Sequence, residues 1–293
     1  MTLLQIKYFQ SVCDYGGITR AADKLHISQP AVSNAIKELE REFGLRLFTK
    51  EGKSVQLTYE GTIFRDLCRQ ILSDSESAGR IMSDLARQNS QVRLGITPAL
   101  ALLYMPRLYP KFSAAHPDVS LRVDENEIQS LIEKLERREL DVVIMRDVPG
   151  LEKNYKKIRI ATLEFVLCVS KKHRLADASG VTVKDLVDEP LIGFEQEFGQ
   201  FSLPDTIFGE SGLRANYVYR TNQISTIMGM VESGAMSSFN FRAIAERWEG
   251  ICSIPLDPVN YQDVCLYWRN DGYIFHNMQK LIRCVQETEL LER

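Results

Sequence analysis

The chain has 293 residues, 44% of them hydrophobic and 26% charged, and a formal net charge of −3. This length holds about two or three domains of ordinary globular composition, and no run of ~20 apolar residues is present to span a bilayer. The slightly acidic balance excludes a chain coated for nucleic acid, so any attraction to phosphate must be local.

Residues 3–15 read as a helix with Ile6, Phe9, Val12 and Cys13 on one face, ended by Gly16 and Gly17. The opening run MTLLQIKYFQSVCDYGG is too polar and too periodic for a signal peptide, which predicts a cytoplasmic protein. Residues 18–25 predict a second short helix with Ala21, Ala22 and Leu25 facing inward, followed by a tight turn at His26 and Ile27. Ser28 then stands at an N-cap position, and Pro30 falls in the first turn, where its missing N–H costs nothing. Val32, Ile36, Leu39 and Phe43 recur at helical spacing and predict a buried stripe. Gln29, Pro30, Ser33, Asn34 and Lys37 are left on the opposite side, near the helix start. Such a face suits major-groove readout, where the first residues of a recognition helix touch base edges. At this point a solvated face on a helix pair that never meets DNA remains the alternative.

The run AADKLHISQPAVSNAIKELEREFGLRLF, residues 21–48, resembles the LysR-type transcriptional regulators. The S-Q-P-A-V-S core, the I-x-x-L-E that follows and the G-x-x-L-F after that carry the resemblance, which starts at Leu3. Phe43 stands where the family more often has Leu, and Asn34 and Lys50 where Arg is common. The resemblance implies a winged helix–turn–helix, a long dimerising helix, and a two-lobed α/β effector domain of periplasmic-binding-protein-like architecture. The implied partners are double-stranded promoter DNA, a small-molecule effector, a homodimer or homotetramer, and RNA polymerase.

After Gly44, residues 47–49 and 54–57 read as two short strands around Lys50-Glu51-Gly52-Lys53, the wing, with Gly at the bend. Lys50 and Lys53 at its tip join Arg20, Lys24, Lys37 and Arg46 as the local basic set, diluted by Glu38, Glu40, Glu42 and Glu51. The expected DNA contacts are Arg20, Ser28, Gln29, Pro30, Ser33, Asn34, Lys37, Lys50 and Lys53. Thr58 predicts the cap of one long helix to about residue 88, with Phe64, Ile71, Ala78 and Leu85 repeating every seven residues and Leu67 and Ile81 in a second row. That repeat predicts pairing with a partner helix, although packing within its own domain is the plainer alternative. The expected boundaries are 1–58 for the DNA-binding domain, 59–91 for the linker helix and 92–293 for the effector domain. Within the last, one lobe comprises 92–161 and 265–293, the other 162–264.

From residue 92 onward strands alternate with helices: strands at 92–96, 119–123 and 141–145, helices at about 100–115 and 128–138. This order predicts a parallel sheet covered on both faces. Further strands are expected at 158–160, 164–170, 190–194, 216–220, 236–239 and 264–268. Helices are expected at 223–233, where Asn222 would cap, at 243–248 and at 274–290, with crossings between lobes near Thr162 and Val264. Ligands bind beyond the carboxyl ends of such strands, which selects Thr97, Pro98, Asn126, Arg146, Phe194, Thr221 and Asn222. Helix N-termini and Arg146 favour a small organic anion, whereas Glu127 and Glu195 would suit an amine or amino acid. A salt bridge of Arg146 to Asp147 or to a glutamate is the competing role for that residue, and Ser237 and Ser238 either line the pocket or satisfy backbone groups.

The motifs G-x-S-x-G, G-x-G-x-x-G, H-E-x-x-H and the P-loop are missing, and His26, His116, His173 and His276 are dispersed, so no enzyme is expected. The six cysteines form no C-x-x-C pair, so neither metal nor cofactor is expected, and buried reduced thiols are the default. A redox thiol, as in some LysR relatives, and a pure small-molecule carrier are the alternatives left open.

Overall fold

The computed structural model describes residues 1–51, 54–86, 90–195, 202–270 and 272–288, with the side chains of Lys50, Glu51 and Ser54 outside the description. The chain forms two compact units, Met1–Ala86 and Arg87–Arg293.

In the first unit, helix α1 (Leu3–Tyr15) starts in a capping box between Thr2 and Gln5 and stops where Gly16 turns left-handed at φ 65°. Helix α2 (Ile18–Leu25) ends at His26, also left-handed at φ 54°, which makes the tight turn into α3 (Gln29–Phe43). Val12, Ala21, Ala22 and Val32 form one small core, and the two alanines let α2 lie close. Ile6, Phe9, Ile36, Leu39, Leu47 and Cys68 form a second. Phe43 departs from the expected stripe: it is 41% exposed and meets Phe64 edge-on at 5.4 Å, because α3 has run past its footing on α1 by then.

Ser28 does occupy the N-cap, but its side chain makes no cap bond. The physical reason is local: an N-cap oxygen accepts from the second or third helical N–H. The second residue is Pro30, which has none, and Ala31 N–H donates to the Ser28 carbonyl at 3.0 Å. The antiparallel strands β1 (Phe48–Glu51) and β2 (Ser54–Leu57) make the wing, and the expected tip residues Gly52 and Lys53 lie outside the described residues. Thr58 caps α4 (Tyr59–Leu85), accepting from Gly61 N–H at 2.9 Å and donating to the Arg46 carbonyl at 2.7 Å. Gly61 permits this crossing, because a Cβ there would overlap the Leu47 carbonyl oxygen. Of the expected heptad positions on α4, Phe64 packs on the core, while Leu67, Ile71, Ala78 and Leu85 are exposed and Ile81 is half-buried.

The second unit contains β3 (Gln91–Ile96), α5 (Pro98–Ala115), β4 (Ser120–Glu125), α6 (Ile128–Glu136) and β5 (Val142–Arg146) in that order. Strand β3 pairs parallel with both β4 and β5, which gives the right-handed α/β lobe its floor. Two long strands follow, β6 (Tyr155–Ser170) and β10 (Ile251–Arg269). Residues 158–160 and 164–170, expected as two strands, are one. Residues 264–268 are the end of a strand thirteen residues longer at its start, from Ile251. Both runs persist because β6 and β10 pair antiparallel along nearly their whole length, with shifts only at Pro255/Asn260 and Val264/Cys265. With β9 (Ser238–Phe241), the strand order in this sheet is β4-β3-β5-β10-β6-β9.

The second lobe adds a small parallel pair, β7 (Leu191–Gly193) with β8 (Tyr217–Arg220), and helices α7 (Leu203–Glu210), α8 (Ile224–Glu232) and α9 (Arg242–Ala245). Helix α7 was not legible in the sequence. Helix α8 starts one residue later than expected: Gln223 is its N-cap, and Asn222 instead reaches the Glu195 carboxylate at 3.5 Å. The closing helix α10 (His276–Glu287) packs on α5. One continuous apolar core runs from β3 and α5 through β6 and β10 to α8 and β9. Among the described residues, no helix is long and apolar enough to cross a membrane.

Candidate DNA-reading face and effector cavity

On α3, Gln29, Pro30, Asn34 and Lys37 are exposed and Ser33 is half-buried, while Val32, Ala35, Ile36 and Leu39 are buried. Residues 29, 33 and 37 and residues 30 and 34 follow one another at four-residue steps, so these side chains share one face. Ser28 and Arg20 are exposed beside it, and the Arg20 guanidinium donates to the Gly16 carbonyl at 3.1 Å. The start of α3 therefore offers an exposed polar face with room for another macromolecule. Among the acidic residues on α3, Glu38 continues the 30–34 row one turn further on, and Glu40 turns to the wing. Glu38 accepts from Gln5 at 2.8 Å. One Glu40 oxygen accepts from Leu47 N–H at 2.9 Å and Phe48 N–H at 3.3 Å, which ties the wing to the recognition helix. Sequence reasoning counted Glu40 only as surface charge, and no local spacing identifies a partner seven residues away across a turn. The expected contacts Lys50 and Lys53 have side chains outside the described residues.

In the second unit, a cavity of about 520 Å³ opens between the two lobes. Thr97 and Pro98 from the β3–α5 junction, Asn126 and Glu127 between β4 and α6, and Arg146 at the end of β5 line it from the first lobe. Phe194 after β7 and Asn222 and Gln223 before α8 line it from the second. Thr221 is not part of the lining. Its N–H donates to the Gly193 carbonyl at 3.0 Å and its hydroxyl accepts from Gln223 N–H at 3.2 Å, so it shapes the loop instead. Ser237 and Ser238 also turn away: they donate to Glu189 at 2.6 Å and to the Ile192 carbonyl at 2.8 Å.

Asn240, Phe165, Phe239, Phe241, Leu203 and Tyr217 complete the wall and were missed. Phe165, Tyr217 and Phe239 lie on expected strands that read as core, Asn240 and Phe241 lie past the strand expected at 236–239, and Leu203 opens a helix the sequence did not reveal; the tertiary fold brings them to one cavity. Arg146 donates to the Asp147 carbonyl at 3.2 Å. The Asp147 carboxylate itself goes to Lys157, with both oxygens at 2.8 Å, and to the Tyr267 hydroxyl. Burial pushes the Asp147 carboxyl up, but the hydrogen bonds from Lys157 and Tyr267 and the Lys157 charge outweigh it and hold the group below its ordinary range. Burial pushes the thiols of Cys13, Cys68 and Cys168 up to about 12, which leaves them protonated and unreactive at neutral pH. Among the described residues no cluster could hold a metal ion.

A winged helix–turn–helix joined to a two-lobed α/β domain with a cavity between the lobes defines a DNA-binding transcriptional regulator carrying an effector domain. Residues 3–62 match the family described as "Bacterial regulatory helix-turn-helix protein, lysR family", and residues 86–289 match "LysR substrate binding domain". The chain belongs to the LysR family of transcriptional regulators, and its relatives are regulators rather than enzymes. It is 28% identical to the uncharacterised HTH-type transcriptional regulator YwbI of Bacillus subtilis (strain 168), over 94% of this chain and 92% of that protein. It is likewise 28% identical to the RuBisCO operon transcriptional regulator of Allochromatium vinosum, over 90% and 87%. In structure it is similar to CbnR, a LysR family transcriptional regulator, with a TM-score of 0.70 at 21% identity, covering 98% of each chain. Full-length CbnR complexed with its target DNA gives 0.69 at 21% identity, over 98% of this chain and 99% of that one.

Proposed function

We propose that this regulator reads double-stranded promoter DNA with Ser28, Gln29, Pro30, Ser33, Asn34 and Lys37, while Arg20 and the wing lysines Lys50 and Lys53 hold phosphates. The observation that carries the reading is the polar row on α3, open to solvent at the helix start while the opposite face is packed under α1 and α2. A bare polar start on an otherwise buried helix is what base-edge contact requires. CbnR has been crystallised with target DNA, which supports the same use of the domain here. Two half-sites need two winged domains at fixed separation, so the working species is a homodimer or homotetramer joined through the exposed apolar side chains of α4.

A small-molecule effector, an organic anion or an amino acid, binds between the lobes. It acts by preferring one arrangement of the assembly over another, and so changes DNA bending and RNA polymerase contact. The protein works in the cytoplasm, where its promoters are. The test is binding of Gln29→Ala and Ser33→Ala to an operator duplex and to random duplex. Each is expected to weaken specific binding by roughly 1–3 kcal/mol and leave non-specific binding nearly intact. Equal loss on both duplexes would remove base readout from this face.

A further inference from the structure

The charged side chains in the second half of α3 divide by what they touch. Glu38 accepts from the Gln5 amide, Glu40 accepts from the Leu47 and Phe48 N–H groups, and Glu42 accepts from the N-terminal ammonium of Met1. All three carboxylates are thus engaged inside the DNA-binding unit. Lys37 and Arg41 are exposed, and neither makes a hydrogen bond or an ion pair among the described residues. The acids on this half of the helix are occupied internally, and the bases are left for an anion from outside.

Direction on the helix separates them as well. A four-residue step overshoots a turn by about 40°, so the row Pro30, Asn34, Glu38, Glu42 drifts around α3 until its acids meet the start of α1. The spacing i, i+4, i+7, i+11 holds its direction, and from Pro30 it runs through Asn34 and Lys37 to Arg41, all four exposed. Val32, Ala35, Ile36 and Leu39 are buried on the other side. At 1.5 Å per residue Arg41 stands about 16 Å along the axis from Pro30, more than the roughly 12 Å width of a B-DNA major groove. With the start of α3 at base edges, the turn that carries Arg41 is therefore level with the phosphates that edge the groove.

We infer that Arg41 holds a backbone phosphate at the groove rim, while the acids beside it are turned to α1 and kept off the same strand. This rests on the α3 reading above and adds a contact that carries no sequence information of its own. A guanidinium suits the place, because its planar fork of N–H donors matches two phosphate oxygens. Arg41 also lies in the last turn of α3, at the negative end of the helix dipole. A residue serving that end alone would act on stability and leave DNA binding untouched.

The test is the salt dependence of DNA binding by the full-length protein, followed by fluorescence anisotropy on two duplexes. One is enriched from a random pool by the wild type; the other is of random sequence. Arg41→Gln is expected to raise Kd on both by the same factor, roughly three- to tenfold at ~0.1 M salt. It should also flatten the log–log salt slope by about one for each winged domain bound. Arg41→Lys should recover most of that slope, and Lys171→Gln, which removes an exposed charge from the other unit, should leave it unchanged. An unchanged slope in Arg41→Gln overturns the contact, whatever happens to the melting point. A loss confined to the enriched duplex makes Arg41 a base contact and overturns it too. If the wild type binds DNA but enriches no sequence, base reading by Gln29 and Ser33 fails, while Arg41→Gln on random duplex still decides the phosphate contact. A wild type that binds no DNA overturns both.

Discussion

Replacing Glu40 with alanine isolates how the wing is held against the recognition helix. One carboxylate oxygen accepts from the Leu47 and Phe48 N–H groups at 2.9 and 3.3 Å, and Leu47 is a core residue. Hydrogen bonds to a charged acceptor contribute about 1.5–3 kcal/mol each when buried. The second bond is long and Phe48 only half-buried, while the Arg46 contact at 3.5 Å involves a mostly exposed guanidinium that adds little. The local loss is therefore about 2 kcal/mol, nearly all of it from the backbone donors. Hydrogen exchange followed by mass spectrometry on the intact protein reads this directly. The peptide spanning residues 44–49 should exchange roughly thirty-fold faster in Glu40→Ala, with Glu40→Gln in between, and peptides from α5 and α6 should not change. The wing would then sample open positions, weakening DNA binding on all sequences alike. Unchanged protection at Leu47 and Phe48 in the alanine variant would refute the tether.

Glycine substitutions in α4 should split by position. Gly61→Ala drives a Cβ into the Leu47 carbonyl and should cost about 3 kcal/mol, visible as a lower melting point; Gly79→Ala meets nothing within 4 Å and should stabilise by about 0.5–1 kcal/mol. If α4 joins the proposed oligomer, Leu67→Glu with Met82→Glu, at side chains 57% and 65% exposed, should sediment as a folded monomer where the wild type sediments as an oligomer, and an unmoved mass would remove α4 from the interface. The two Arg242 hydrogen bonds, at 2.5 and 2.9 Å, hold the Glu164 carboxyl below its ordinary 4.5 against some desolvation. A depressed carboxylate contributes stability that is full above pH 4.5 and lost as pH falls through its lower folded value. The stability gap between wild type and Glu164→Gln should accordingly be largest near neutrality and close on acidification below 4.5. A gap that widens in acid would reverse the assignment.

Local physics made much of this protein legible before any fold was known. The 3.6-residue rhythm of Val32, Ile36 and Leu39 separates a packed side from a polar one, and that separation needs only the helix itself. His26, Gly16 and Gly44 end helices in left-handed turns for equally local reasons. Strand–helix alternation after residue 91 marked Thr97, Pro98, Asn126 and Arg146 as strand-end residues, and all four line the cavity.

What tertiary structure alone decided involves partners remote in sequence. Glu40 becomes a tether only because the wing folds back over α3. Phe43 lies outside the core because α3 has by then run past the beginning of α1, where Met1 meets Glu42 and Gln5 meets Glu38, which the periodicity of α3 cannot register. Asn240 lies just past the strand expected at 236–239, and it becomes a cavity residue because β9 extends to Phe241 and pairs with Phe165 and Val166 of β6, some seventy-five residues earlier. Periodicity reports which side of an element is buried; it carries no information on which buried surface ends at a void. Closing long chain loops settles that, through non-local strand pairing that no window of sequence contains.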